Sequence, residues 1–224
     1  MDTSQYTGEV TQYVVKIDRA KGLVEISDKV SGRDGTDQLL SVERVEFAGV
    51  SFDLVNPPRT ETPKFGQSKG FLFDPSYYLL SQPQLAGTVT MQGALDHYLK
   101  TGAAAGAKPN DWFDAGYYAN RWSDLKALNL SADVLFQHYN LYGVWEGRSA
   151  GPRFDTYDGL RYLRDNPDVA AYVDAYVNDF LGSRSNGAIA HYVIYGAAEG
   201  RVAYNQQGEV IDTAMLIGIS PPGG

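Results

Sequence analysis

No cysteine occurs among the 224 residues. Disulfides, thiolate metal sites and cysteine nucleophiles are thereby excluded, while neither a cytosolic nor an exported location is. Positive charge is scarce: 19 Lys plus Arg stand against 27 Asp plus Glu, a formal charge of −8. No basic stripe exists to neutralise a run of phosphates, so nucleic acid is not expected as a partner. No apolar run approaches the roughly 18–20 residues of a membrane-spanning helix. The opening, MDTSQYTGEV, lacks the basic-then-apolar layout of a signal peptide. Export is thus expected to proceed without an N-terminal signal, and the opening reads as the C-terminal piece of something longer. Nucleophile-elbow, Walker, HExxH and dinucleotide fingerprints are all missing, and no catalytic residue is assigned.

What is present is an internal repeat. All three His lie in one phrase: His97-Tyr98-x3-Gly102-x3-Gly106, His138-Tyr139-x3-Gly143-x3-Gly147 and His191-Tyr192-x3-Gly196-x3-Gly200. Upstream stands a second phrase, Phe73-Asp74-x2-Tyr77-Tyr78 and Phe113-Asp114-x2-Tyr117-Tyr118, with a modified third copy opening at Phe154-Asp155. The steps from 73 to 113 to 154 are 40 and 41 residues, a period typical of stacked two-helix units. Asp74 and Asp114 suit helix N-caps, with Pro75 where a missing N–H costs nothing. Phe and the second Tyr then form a hydrophobic staple. In the third copy Tyr157-Asp158 followed by Tyr162 restores the staple spacing, which places the helix start at Asp158 after three inserted residues. Pro83, Ser123 and Pro167 mark a bend. The His-Tyr phrase reads as a helix end, with Gly102, Gly143 and Gly196 as left-handed caps. In the third copy Ala170 to Phe180 reads as an extended helix ended by Gly182.

Residues 10 to 54 differ. Val14, Val15, Ile17 and then Leu23, Val24, Ile26 are short β-type runs split by Arg19-Ala20-Lys21-Gly22, a hairpin signal. A strand is expected over Val42 to Phe47, and the Pro-rich stretch Asn56 to Lys64 reads as a linker. A last strand or tail, Val210 to Ile219, ends in Pro-Pro-Gly-Gly.

At Gly32 to Glu46 the sequence resembles the flank of hemolysin-type calcium-binding (RTX) repeats. Gly32, Gly35, Asp37 and Leu39 match the nonapeptide Gly-Gly-x-Gly-x-Asp-x-apolar-x, and Arg33 replaces its second Gly. The Phe-Asp-x2-Tyr-Tyr…His-Tyr-x3-Gly-x3-Gly-Arg units are similar to tandem modules of RTX-containing exported bacterial proteins and some polysaccharide-associated proteins. The two resemblances imply type I secretion and a calcium-rich extracellular or cell-surface setting; they name no activity.

Three chemistries follow for weighing. Calcium needs about 6–8 oxygen ligands; Asp34 and Asp37 are its candidates, against a Gly-permitted turn in which both carboxylates bond local N–H groups. Zinc on His97, His138 and His191 conflicts with helix spacings of about 8–10 Å, so each His is expected to be partly buried and to bond the adjacent repeat's backbone or an aromatic neighbour. Of the aromatic residues, 14 of 16 Tyr and all three Trp lie beyond residue 70. Most Tyr recur in the repeat and read as core. Trp122 and Trp145 do not recur and Trp112 sits at a repeat junction, so these three are candidate platforms for sugar rings or a protein, against a packing role.

The expected fold is α+β: a small N-terminal β module (1–55), a linker (56–70), three helical repeats (71–112, 113–153 and 154–203) and a C-terminal strand or tail (204–224). The expected function is a non-enzymatic extracellular binding or attachment module of a secreted bacterial RTX-type protein, its partner a cell-surface polysaccharide or envelope protein. The alternatives are a C-terminal folding and secretion segment of a toxin or hydrolase whose active domain lies elsewhere, and an enzyme with a site at the junction of repeats and β module.

Overall fold

The computed structural model describes residues 2–59 and 62–218; the expected strand end at Ile219 and the Pro-Pro-Gly-Gly tail lie outside them. The fold is α+β, and the chain divides into two compact units. The first comprises Met1–Pro58, Phe73–Asp111 and Thr213–Gly224, the second Arg59–Leu72 and Trp112–Asp212.

In the first unit the alternating runs make strands. Along β2 (Tyr13–Asp18) every second residue, Tyr13, Val15 and Ile17, turns inward, and β3 (Leu23–Asp28) answers with Val24 and Ile26. The two pair antiparallel from Tyr13↔Asp28 to Asp18↔Leu23, which leaves residues 19–22 as the expected turn, with Gly22 at φ +61°. β4 (Thr36–Leu40) extends the sheet beyond β3, and β7 (Met215–Ile217) closes it beside β2. Met215–Ile217 are therefore part of a sheet, and removing the tail from 204 onward takes a strand with it. A second sheet orders β1 (Thr3–Tyr6), β5 (Arg44–Phe47) and β6 (Val50–Asp53), with β1 parallel to β5. Ala48 and Gly49 link β5 to β6 with φ of +49° and +82°, the paired left-handed conformation of a tight hairpin.

The first helical repeat belongs to this unit. Helix α1 (Pro75–Ser81) buries Tyr77 and Leu80 in the same apolar cluster as Val15, Ile26, Phe47 and Phe52. The Arg19 guanidinium donates to the Asp74 carboxylate at 3.0 and 3.1 Å, to the Leu54 carbonyl at 3.1 Å and to the Ser76 hydroxyl. The expected boundary between β module and repeats is thus corrected: apolar burial joins residues 73–111 to the strands. The expected linker, of which residues 60 and 61 lie outside the described ones, is bound on both sides of them. Asn56 accepts from the Ser76 N–H at 3.0 Å in the first unit. In the second, the Gly66 N–H donates to the Leu141 carbonyl at 2.8 Å and Phe65 packs edge-on against Tyr142.

The second unit holds the other two repeats: α3 (Ala115–Arg121), α4 (Ser123–Leu128) and α5 (Ala132–His138), then α6 (Gly159–Asp165), α7 (Pro167–Ala175) and α8 (Arg184–His191). The expected helix over 170–180 starts earlier, at Pro167, and breaks at Tyr176, after which a tighter turn runs to Phe180.

All three copies share one local device. The N-cap carboxylates of Asp74, Asp114 and Asp158 accept from the N–H groups of Tyr77, Tyr117 and Arg161 at 2.8 to 2.9 Å, so the three-residue insertion falls before Asp158. The same three residues donate their own N–H to the exit of their repeat, at the carbonyls of Pro109, Ala150 and Tyr204. Staple rings meet at centroid separations of 5.3, 5.9 and 5.9 Å, in Phe73–Tyr78, Phe113–Tyr118 and Tyr157–Tyr162.

The expected role of the first glycines is corrected. Each His-Tyr helix (α2, Ala94–His97, in the first copy) widens into a π-turn, with N–H donors of Ala103, Val144 and Ala197 reaching back five residues to Tyr98, Tyr139 and Tyr192 at 2.9 Å. Helical geometry therefore continues through Gly102, Gly143 and Gly196. The left-handed residue is the second glycine: Gly106, Gly147 and Gly200 have φ of +81°, +67° and +74°. The following N–H donors, at Ala107, Arg148 and Arg201, close on the carbonyls of Gly102, Gly143 and Gly196 at 2.9 Å, completing a Schellman cap. The first glycine is required for another reason. The hydroxyls of Tyr78, Tyr118 and Tyr162 lie where a Cβ on Gly102, Gly143 or Gly196 would stand.

At Gly102 the three atoms nearest an added Cβ all belong to Tyr78. We expect Gly102→Ala to lower stability by about 1–3 kcal/mol, the usual cost of overpacking a tight site. In Gly102→Ala/Tyr78→Phe the obstructing oxygen is gone, so the two changes are expected to be strongly non-additive in a denaturant double-mutant cycle.

Candidate functional site

The three Trp are placed differently. Trp145 is 5% exposed, lies flat against Phe180 at 6.0 Å and donates its indole N–H to the Asn140 carbonyl at 3.1 Å. It is not an exposed platform: with no side chain but Ala104 and Ala198 at its place in the other copies, it fills core volume peculiar to the second. Trp112 is half-buried, edge-on to Tyr139 and Phe154 at 5.7 and 5.6 Å. Trp122, between α3 and α4, lines a pocket of about 320 Å³ in the second unit.

The indole is fixed on several sides. Its N–H donates to the Ser149 carbonyl at 3.1 Å, and the Arg121 and Arg148 guanidiniums lie 5.5 and 5.1 Å from its ring centre, within cation–π reach. Arg148 is tied down by Asp124 at 2.8 Å and Glu146 at 2.5 Å. Arg201 repeats this arrangement in the third copy, with Asp168 and Glu199, each at 2.6 Å. Ala107 replaces the arginine in the first copy, so the network is confined to copies that carry Glu-Gly-Arg.

The rest of the pocket comes from the inserted residues and what they displace. Phe154 and Tyr157 add aromatic wall; Asp155, Ser185, Asn186 and Gln206 add polar groups. Gln206 is brought there by its N–H bond to the carbonyl of inserted Thr156, at 2.7 Å. Asp155 approaches Arg121 at 3.7 Å. Beside them is the Tyr117 hydroxyl, its oxygen buried and without a hydrogen-bond partner of standard geometry. Burial, then the Asp155 carboxylate, push its phenol above the ordinary range. Sequence reading singled out Trp122 but missed Arg121, Tyr117, Asn186 and Gln206. The available signal was the insertion itself, a departure from the repeat that had to bulge somewhere.

The calcium candidates are occupied differently. The Asp34 carboxylate accepts from the Thr7 N–H at 3.1 Å, the Thr7 hydroxyl and the Tyr13 hydroxyl. Asp37 lies on β4 opposite Ile26. The local N–H donors of Val30 and Asp34 go instead to Asp28, which also takes both Arg33 bonds at 2.6 and 2.7 Å and is held well below the ordinary carboxylate range by that arginine. Gly32 and Gly35 are left-handed, as such a turn requires. Among the described residues no cluster of three or more His, Asp or Glu is arranged to hold a metal.

Nor do the histidines converge. The Nδ1 atoms of His97, His138 and His191 each bond the tyrosine hydroxyl of their own repeat, Tyr78, Tyr118 and Tyr162, at 2.7, 3.0 and 3.0 Å. Burial is the chief cause holding His138 and His191 below the ordinary imidazole value, and raises the Tyr118 and Tyr162 phenols. The sequence matches no known protein family, and no curated protein or solved structure is significantly similar to it.

Because the unfolded chain takes up protons near pH ~6.5, before folded His138 and His191 do, their contribution to stability is complete above that pH and is lost as pH falls toward their lower folded values. The melting temperature is expected to fall between pH 7.5 and 5.0, and His138→Gln/His191→Gln should flatten that slope in a series of thermal melts. A slope unchanged in the double variant would assign the acid sensitivity to other groups.

Proposed function

We propose that the chain is a non-enzymatic extracellular binding and attachment module of a secreted bacterial RTX-type protein, contacting cell-surface polysaccharide through the Trp122 pocket. The observation that carries this is the composition of that pocket: a rigid aromatic wall beside carboxylate, guanidinium, amide and hydroxyl groups. A sugar ring offers the matching pair of surfaces, an apolar C–H face and a rim of hydroxyls that both donate and accept. The volume, about 320 Å³, stands at the lower end of small-ligand sites of roughly 300–1,000 Å³. Exposed Ser185 and Gln206 leave the polar rim open to an incoming chain.

The test is retention of the purified chain on isolated envelopes of the producing cell. Trp122→Ala is expected to reduce retention about tenfold while leaving the circular dichroism spectrum intact, and Trp145→Phe to leave retention unchanged. Equal retention by Trp122→Ala and the parent chain would sink the proposal.

Calcium is a candidate through the RTX resemblance alone, with Asp34 and Asp37 as the residues it would use. Since Thr7 and Tyr13 already donate to Asp34, we expect melting temperatures that agree in calcium and in chelator. A calcium-dependent rise abolished by Asp34→Asn would place an ion there.

A further inference from the structure

The charge balance of the Trp122 pocket bears on which sugars it accepts, an inference that rests on the polysaccharide reading above. Its cations are spoken for. Arg148 is neutralised by Asp124 and Glu146. Arg121, with a side chain 52% exposed, has Asp155, 33% exposed, at 3.7 Å. The remaining charge is Asp158, whose carboxylate caps the Arg161 N–H at 2.9 Å and lines the same pocket. A uronate or sulfate entering here would meet two carboxylates and no guanidinium without an acidic partner, an arrangement that disfavours a negative ligand.

For a neutral polyol the same groups are well matched. A carboxylate only accepts and a guanidinium only donates, while each sugar hydroxyl does both. Two adjacent hydroxyls can therefore bridge Asp155 and Arg121, donating to one and accepting from the other.

We infer that the pocket takes a neutral hexose unit, read through two adjacent hydroxyls by the Arg121–Asp155 pair. Asp155 belongs to the insertion that the other repeats lack, so the specificity-determining group and the pocket arise from the same three residues.

The experiment is affinity electrophoresis of the full chain in gels carrying neutral or acidic polysaccharide, separated by anion exchange from the producing cell's envelope, at fixed ionic strength. Retardation is expected in the neutral gel, reduced at least tenfold in apparent affinity by Arg121→Ala and by Asp155→Ala. Circular dichroism and melting of each variant separate lost binding from lost folding. Trp122-dependent retardation in the acidic gel alone would overturn the neutral-hexose inference and leave the polysaccharide reading standing. Neutral retardation unmoved by Arg121→Ala and Asp155→Ala would overturn the role of the pair. No Trp122-dependent retardation in either gel would remove both.

Discussion

A phenol oxygen resting on a glycine is the contact around which each helical repeat is arranged. Tyr78, Tyr118 and Tyr162 each descend from an Asp-capped helix, place the hydroxyl where Gly102, Gly143 or Gly196 has no side chain, and bond the histidine five residues before that glycine. Three residue types are thereby fixed at once. Any larger residue at the glycine displaces the ring, phenylalanine leaves the imidazole without its partner, and loss of the cap shifts the helix that carries the tyrosine. The π-turn follows from the same demand, since widening the last turn brings the glycine under the ring and carries the chain on to the Schellman cap. Such mutual dependence explains why the phrase recurs with so little variation while the connecting residues differ in length.

Much of this was legible in the sequence. The N-caps, the staples, the register shift at Asp158 and the hairpin at residues 19–22 all follow from local rules of helix entry and chain reversal, and the structure has them where those rules put them. The roles of the two glycines were not legible, because a helix-terminal cap and a steric notch both call for glycine and leave the same letter. Only the partner ring distinguishes them. Likewise nothing local announces that α1 sinks Tyr77 and Leu80 among the strands, since an amphipathic helix does not state which apolar surface it meets.

The tryptophans show the same division. Non-recurrence marked Trp122 and Trp145 as unusual, yet it equally marks a residue that fills a void peculiar to one copy, which is what Trp145 does against Phe180. The polar half of the candidate site was hidden further, since Arg121, Asp155, Asn186 and Gln206 come from four separate stretches and meet only after folding. Asp34 stood out on spacing, and only the fold brings Thr7 and Tyr13 to its carboxylate.

The three inserted residues, 154–156, have a consequence for stoichiometry. Tandem copies that remain alike repeat their clefts along with their cores, and a ligand then finds several equivalent places on one molecule. Here the added length falls in a single copy, and the pocket edge it builds from Phe154 and Asp155, with Thr156 holding Gln206 beside them, has no counterpart at Phe73 or Phe113. The duplication supplied scaffold, and the break in its symmetry made one location on it singular. Under the proposed polysaccharide reading each chain offers one such contact, and firm attachment then comes from the number of chains displayed together, through effective concentration, and not from the number of repeats within each.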